Sequence, residues 1–123
     1  MKRLIIDVDN TLTLHDSERE YLDMMVNAEV VQKLNTYRDL GFTITLFTAR
    51  GMRTHECNLE RIENMVRPDL VTWLDKNGII YDELLIGKPW CGYDGFYVDD
   101  KAVRPSEFAN LTYDEIRILL EIK

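Results

Sequence analysis

The chain has 123 residues, 46% of them hydrophobic and 30% charged, which suits one soluble domain with a single core and excludes a disordered chain. A formal net charge of −7 argues against nucleic acid as the main partner, because phosphate backbones call for clustered Lys and Arg, yet a few local cations suffice for one small phosphorylated substrate. The apolar run after Met1-Lys2-Arg3 stops at Asp7, short of the roughly 7–15 residues of a secretory segment, and no stretch nears the roughly 18–20 of a membrane span, so a cytoplasmic protein without membrane contact is expected.

Arg3-Leu4-Ile5-Ile6 reads as a short buried strand, and Asp7 and Asp9 stand where it runs out. A side-chain period of 2 points both carboxylates to one side, where like charges repel unless a cation or a shared proton relieves them. That points to a divalent metal, acid–base chemistry, or both. Residues 12–26 are a polar and then apolar connection carrying His15, Asp16 and Glu18. Asn27 is placed to cap a helix with Val30, Val31, Leu34 and Tyr37 on one face, and Gly41 ends it.

Phe42 to Phe47 is rich in β-branched and aromatic residues and gives the second strand. Gly51-Met52-Arg53-Thr54-His55 reads as a loop, and Leu59, Ile62, Met65 and Val66 follow at helical spacing. Pro68 suits the first turn of another helix, which carries Leu70, Val71 and Leu74 and stops at Asn77-Gly78. Leu84-Leu85-Ile86 is the expected third strand and Gly95-Phe96-Tyr97-Val98 the fourth. Thr112-Tyr113-Asp114-Glu115 has the T-x-x-E form that opens a terminal helix. Strands alternating with helices predict an α/β fold with a mostly parallel sheet, in one domain over residues 1–123. Cys57 and Cys91 share no CxxC spacing and read as reduced thiols.

Every strand in this reading ends in reactive polar residues: Asp7 and Asp9, then Thr48 with Arg50, then Lys88, then Asp99 and Asp100. Ligands of open α/β sheets bind outside the carboxyl ends of the strands, so these groups converge on one edge as a metal-plus-phosphate site. A calcium EF-hand is excluded because its sixth loop position would be Leu12, where Gly is needed, and a strand precedes the loop. A phospho-accepting receiver is excluded because the middle strand ends in Thr48 and the acidic pair follows the lysine.

Asp7-x-Asp9-x-Thr11, Thr48 at a strand end, Lys88 before Pro89, and Asp99-Asp100 resemble, in order, the four motifs of the haloacid dehalogenase (HAD) superfamily of phosphohydrolases. The resemblance implies a three-layer Rossmann-like core and residue roles that match the chemistry. Asp7 corresponds to the nucleophile that forms an aspartyl-phosphate, and Asp9 to the general acid and base. Thr48 corresponds to a phosphoryl hydrogen-bond donor. Lys88 corresponds to the cation that holds both phosphate and nucleophile. Mg²⁺ would be held by Asp7, the Asp9 backbone carbonyl, Asp99 and Asp100, with Asp99 favoured as a direct ligand. Asn10 stands where many relatives carry Gly, and Asn tolerates the positive φ of a tight turn.

The gaps at 12–26 and 51–83 leave no room for a cap domain, so a cap-less member is expected, its site open unless residues 51–66 or a neighbouring subunit cover it. The chain also resembles small cap-less HAD proteins of bacterial capsule and surface polysaccharide biosynthesis, through Thr48-Ala49-Arg50, Gly87-Lys88-Pro89-Trp90, Val98-Asp99-Asp100 and Arg104-Pro105. That implies a phosphorylated sugar or polyol as substrate. The alternative is a phosphate-binding regulatory or scaffold domain with little turnover. Arg50 stands evenly between clamping substrate and pairing with a surface carboxylate. His15, Arg53, Trp90 and Lys101 are weaker candidates, and Tyr93 and Tyr97 are expected to pack.

Overall fold

A computed structural model describes all 123 residues, and it divides into two compact units, Met1–Trp90 and Cys91–Lys123. The first unit is an α/β layer. Its elements run β1 (Arg3–Ile6), α1 (Ala28–Asp39), β2 (Thr43–Phe47), α2 (Leu59–Met65), α3 (Arg67–Lys76) and β3 (Glu83–Leu85). The three strands are parallel in the order β1-β2-β3, with Ile6 opposite Leu46 and Leu46 opposite Leu84.

Asn27 stands at the N-cap of α1 as expected, but its side chain makes no capping hydrogen bond there. Asn58, which the sequence reading did not single out, accepts from the Arg61 N–H at 3.1 Å and starts α2. Pro68 sits in the first turn of α3, where its missing N–H costs nothing. Gly41 takes a φ of +91° just beyond α1, a conformation that favours glycine.

Two crossovers that step across the sheet in the same direction, each right-handed, carry their helices to the same face. Burial follows that rule. Ile6, Ile44, Leu46 and Leu84 share one face and are buried, as are Leu34 of α1, Ile62 of α2 and Trp73 of α3. On the opposite face Ile5 is 56% exposed and Leu85 38%. Between them Thr45 is shielded by a polar cluster, in which Arg3 donates to Thr45 Oγ1 at 3.0 Å and pairs with Glu83.

The second unit contains α4 (Pro105–Asn110) and α5 (Tyr113–Leu119), with Phe108 and Ile116 buried. The box that opens α5 is complete: Thr112 Oγ1 accepts from the Glu115 N–H at 3.1 Å, and Glu115 accepts from the Thr112 N–H at 2.9 Å. The sequence reading did not anticipate α4, although Pro105 at its first turn and Glu107 accepting from the Arg104 N–H at 2.8 Å are recognisable start signals.

The expected fourth strand is the main difference. Residues 95–98 form no strand and belong to no sheet. Phe96 is 79% exposed and Val98 89%, and Tyr93 and Tyr97 are exposed rather than packed. A strand exists only through its ladder, and an apolar, β-branched sequence cannot supply the partner.

Candidate functional site

The end of β1 carries Asp7 past the last ladder residue, while Val8, fully buried, anchors the backbone beneath it. The chain then turns sharply. The N–H groups of Thr11, Leu12 and Thr13 all donate to the Val8 carbonyl, and Asn10 adopts a φ of +62°. Asparagine tolerates that left-handed backbone, so the turn forms without glycine.

The turn presents Asp7 and Asp9 in different surroundings. Lys88 Nζ lies 3.5 Å from Asp7 Oδ1, and Thr11 Oγ1 donates to Asp7 Oδ2 at 3.3 Å. Burial pushes the Asp7 carboxyl above its ordinary value and outweighs the opposing pull of Lys88, the Val8 backbone and Thr11; the negative charge of Asp9 raises it further.

Asp9 is instead held by a guanidinium. Arg50 Nη2 lies 2.6 Å from Asp9 Oδ1, and Arg50 Nε lies 3.2 Å from each carboxylate oxygen. Arg50 is only 5% exposed, whereas the Asp9 side chain keeps a third of its surface accessible, so the guanidinium is buried and the pair opens to solvent on the carboxylate side. Its other neighbour is Tyr21, whose ring centroid lies 4.2 Å from the guanidinium carbon. The planar fork of Arg thus fixes the Asp9 carboxylate between itself and the turn.

Thr48 ends the central strand with no exposed surface, and its Oγ1 accepts from the Arg50 N–H at 3.0 Å. It therefore shapes the turn that delivers Arg50. The Lys88 N–H donates to the Thr48 carbonyl at 3.1 Å, which ties the Lys88 segment to the end of β2. Asp7, Asp9, Thr48, Arg50 and Lys88 are thereby gathered at the carboxyl ends of parallel strands, where an α/β sheet offers its ligand site.

Residues 12–26 form a flap. Thr13 pairs with Val26 in an antiparallel bridge, the Leu14 N–H donates to the Met25 carbonyl at 2.9 Å, and the Asn27 N–H donates to the Leu12 carbonyl at 2.8 Å. Trp73 Nε1 donates to the Met24 carbonyl at 2.9 Å and moors the flap to α3. Beneath it is a hollow of about 320 Å³ lined by Asp9, Asn10, His15, Arg19 and Tyr21 among others. His15 thus lines the same hollow as Asp9. Tyr21 had no sequence signal at all, because its contact with Arg50 spans 29 positions of chain and arises only from the fold of the flap.

Arg53 and Trp90 face each other, the guanidinium carbon 6.0 Å from the ring centroid. Asp99 and Asp100 lie in the second unit and are exposed. The Lys101 N–H donates to Asp99 Oδ1 at 3.0 Å and, with a lesser contribution from Asp100, holds the Asp99 carboxyl below its ordinary value. No three His, Cys, Asp or Glu side chains gather into a metal-sized cluster within the chain. Both cysteines are free thiols, and no helix is long and apolar enough to cross a membrane.

Among solved structures, a crystal structure of a target protein from Vibrio cholerae is 49% identical to this chain, with 98% of each chain covered and a TM-score of 0.95. The chain belongs to the family of that Vibrio cholerae protein. The likeness takes in residues of both units, since the second unit exceeds the share left uncovered. A chain of the Pnkp1/Rnl/Hen1 complex is 23% identical over 89% of this chain and 34% of its own length, with a TM-score of 0.54, a likeness of fold alone. No family model and no curated protein matches the sequence.

Proposed function

We propose that the chain is a Mg²⁺-dependent phosphomonoester hydrolase of the HAD type, acting through an aspartyl-phosphate on a small phosphorylated metabolite such as a sugar or polyol phosphate. The observation that carries the reading is a half-buried Asp7 beside Lys88, with a second carboxylate, Asp9, two residues on at the same strand end. Four motifs in HAD order supply the rest of the argument, and the resemblance to capsule polysaccharide proteins supplies the substrate class.

Asp7 is the nucleophile. One of its carboxylate oxygens forms a bond to phosphorus as the bond from phosphorus to the ester oxygen breaks, and a proton from Asp9 goes to the leaving alcohol. Water then attacks the phosphorus of the aspartyl-phosphate, Asp9 takes the water proton, and inorganic phosphate departs with Asp7 regenerated. Lys88 binds phosphoryl oxygens and keeps Asp7 oriented, and its charge offsets what builds up in transfer. Thr48 and Arg50 position the Asp9 side of the site, and the hollow under the flap receives the leaving group.

The oxygen donors suit Mg²⁺, which takes one or two carboxylates and keeps several waters. Asp7, a desolvated hard donor, and the Asp9 backbone carbonyl would hold it, together with carboxylates of the Asp99-Asp100 pair. When bound, the ion supplies positive charge that lowers repulsion between the nucleophile and phosphate.

A screen of phosphorylated metabolites by kcat/KM, with and without EDTA, tests the reading. The expected result is one small phosphate ester hydrolysed far better than a generic aryl phosphate, with activity lost to EDTA and restored by Mg²⁺. Asp7→Asn should abolish turnover while leaving the circular dichroism spectrum unchanged; near-normal activity in that variant overturns the mechanism.

A further inference from the structure

The first unit's sheet leaves apolar residues exposed on one face and has open edges at β1 and β3. Parallel sheets are covered on both faces, because each face carries apolar side chains. Here α1, α2 and α3 serve one face, while Ile5 and Leu85 on the other remain exposed at 56% and 38%. β1 pairs only with β2, so its other edge presents unpaired backbone groups over Arg3–Ile6. An open edge of this kind is a template for another strand.

The second unit holds the complementary surplus. Gly95-Phe96-Tyr97-Val98 has the composition and length of a strand to match the four residues of β1, yet it forms none, and Phe96 and Val98 are exposed. Helix α5 buries Ile116 but leaves Ile118 79% and Leu119 49% exposed. A surface this apolar on a 33-residue unit (residues 91–123) belongs against another surface.

The segment is present in this chain and does not pair with its sheet, so the complementary occupant is the same segment of another molecule. We infer that two copies exchange residues 91–123: strand 95–98 of one copy adds parallel to β1 of the other, and its helices cover the bare face. Exchange of identical elements makes a closed assembly in which each copy gives and receives the same piece. A parallel strand ends on the same side as β1, so Asp99 and Asp100 of one copy arrive at the carboxyl end that carries Asp7 and Asp9 of the other. The cation site is then made by two chains. This accounts for the lack of a three-residue ligand cluster within one. The exchange itself rests on the sheet edge and the exposed apolar residues, and only its catalytic consequence rests on the proposed phosphatase activity.

The test uses the full chain with Cys57→Ser and Cys91→Ser, adding Ile5→Cys and Tyr97→Cys, which stand two residues before Asp7 and Asp99 respectively. Mild oxidation should give a covalent dimer on a non-reducing gel; a monomer with an internal disulfide, or no bond, overturns the exchange. Light scattering on the unaltered chain should give twice the chain mass or a multiple of it, and a monomer overturns the proposal even if the cysteine variant misfolds. Asp7→Asn chains and Asp99→Asn/Asp100→Asn chains, each inactive alone, should recover about a quarter of normal activity when unfolded and refolded together, since half the pairs carry one intact site of two. Absence of recovery while the parent chain is active overturns the shared site. An inactive parent chain that still gives the interchain disulfide overturns the phosphatase reading and leaves the exchange standing.

Discussion

Met1–Trp90 and Cys91–Lys123 are built from equally apolar sequence, yet they dispose of it differently. The first unit buries Ile44, Leu46, Leu70 and Trp73 completely; the second leaves Phe96, Val98 and Ile118 at 79%, 89% and 79% exposure. Both contain well-capped helices, so local signals do not separate them. The difference lies in what each segment finds to pack against. A capping box needs only residues three apart, whereas a strand needs a neighbour that its own sequence does not contain. Asp7 and Asp9, the pair proposed to be catalytic, sit in the first unit, and the acidic pair proposed to complete their site sits in the second.

The largest effect that sharpens this contrast is chemical. Asp9→Asn should lower kcat by about 10²–10⁴-fold, the loss expected of a general acid and base, in a phosphate-release assay. A near-normal rate would reduce the Asp9–Arg50 pair to a structural contact.

The next effect concerns stability. Trp73→Ala removes a fully buried ring and the donor that holds the Met24 carbonyl, and should cost about 3–5 kcal/mol in denaturant unfolding at any protein concentration. Phe96→Ala should leave the packing of an isolated chain unchanged and act only on assembly, as a loss that grows on dilution. A Trp73-like loss for Phe96→Ala, independent of concentration, would break the distinction between the two units.

The smallest effect concerns pH. Burial raises the Asp7 carboxyl above its ordinary value of 3.8, so the native state binds this proton more readily than the unfolded state does. Stability attributable to Asp7 therefore falls as pH rises through the window above 3.8, and the penalty persists at neutral pH. Below 3.8 both states are protonated and the penalty vanishes. Asp7→Asn should accordingly raise the melting temperature modestly at neutral pH, with the gain disappearing in acid; a lower melting temperature at neutral pH would show that loss of the Lys88 contact dominates. A residue whose removal abolishes turnover and stabilises the fold marks strain kept for function.

Much of this molecule was legible in its sequence, because periodicity, caps and breakers act over a few residues. β1, α1, β2, α3 and β3 lie within a residue or two of where apolar spacing and Gly, Pro or Asn placed them, and the Thr112 box opens α5 as its spelling requires. The meeting of Asp7 with Lys88 followed from parallel strand ends. The tertiary structure alone decided that Arg50 turns inward onto Asp9 rather than outward to solvent or substrate. It also decided that Tyr21 backs that guanidinium, and that residues 95–98 find no ladder in their own chain. The physical reason is range. Local rules dictate an element's type, while partners separated by 29, 41 or more positions are chosen by packing, which no short stretch encodes.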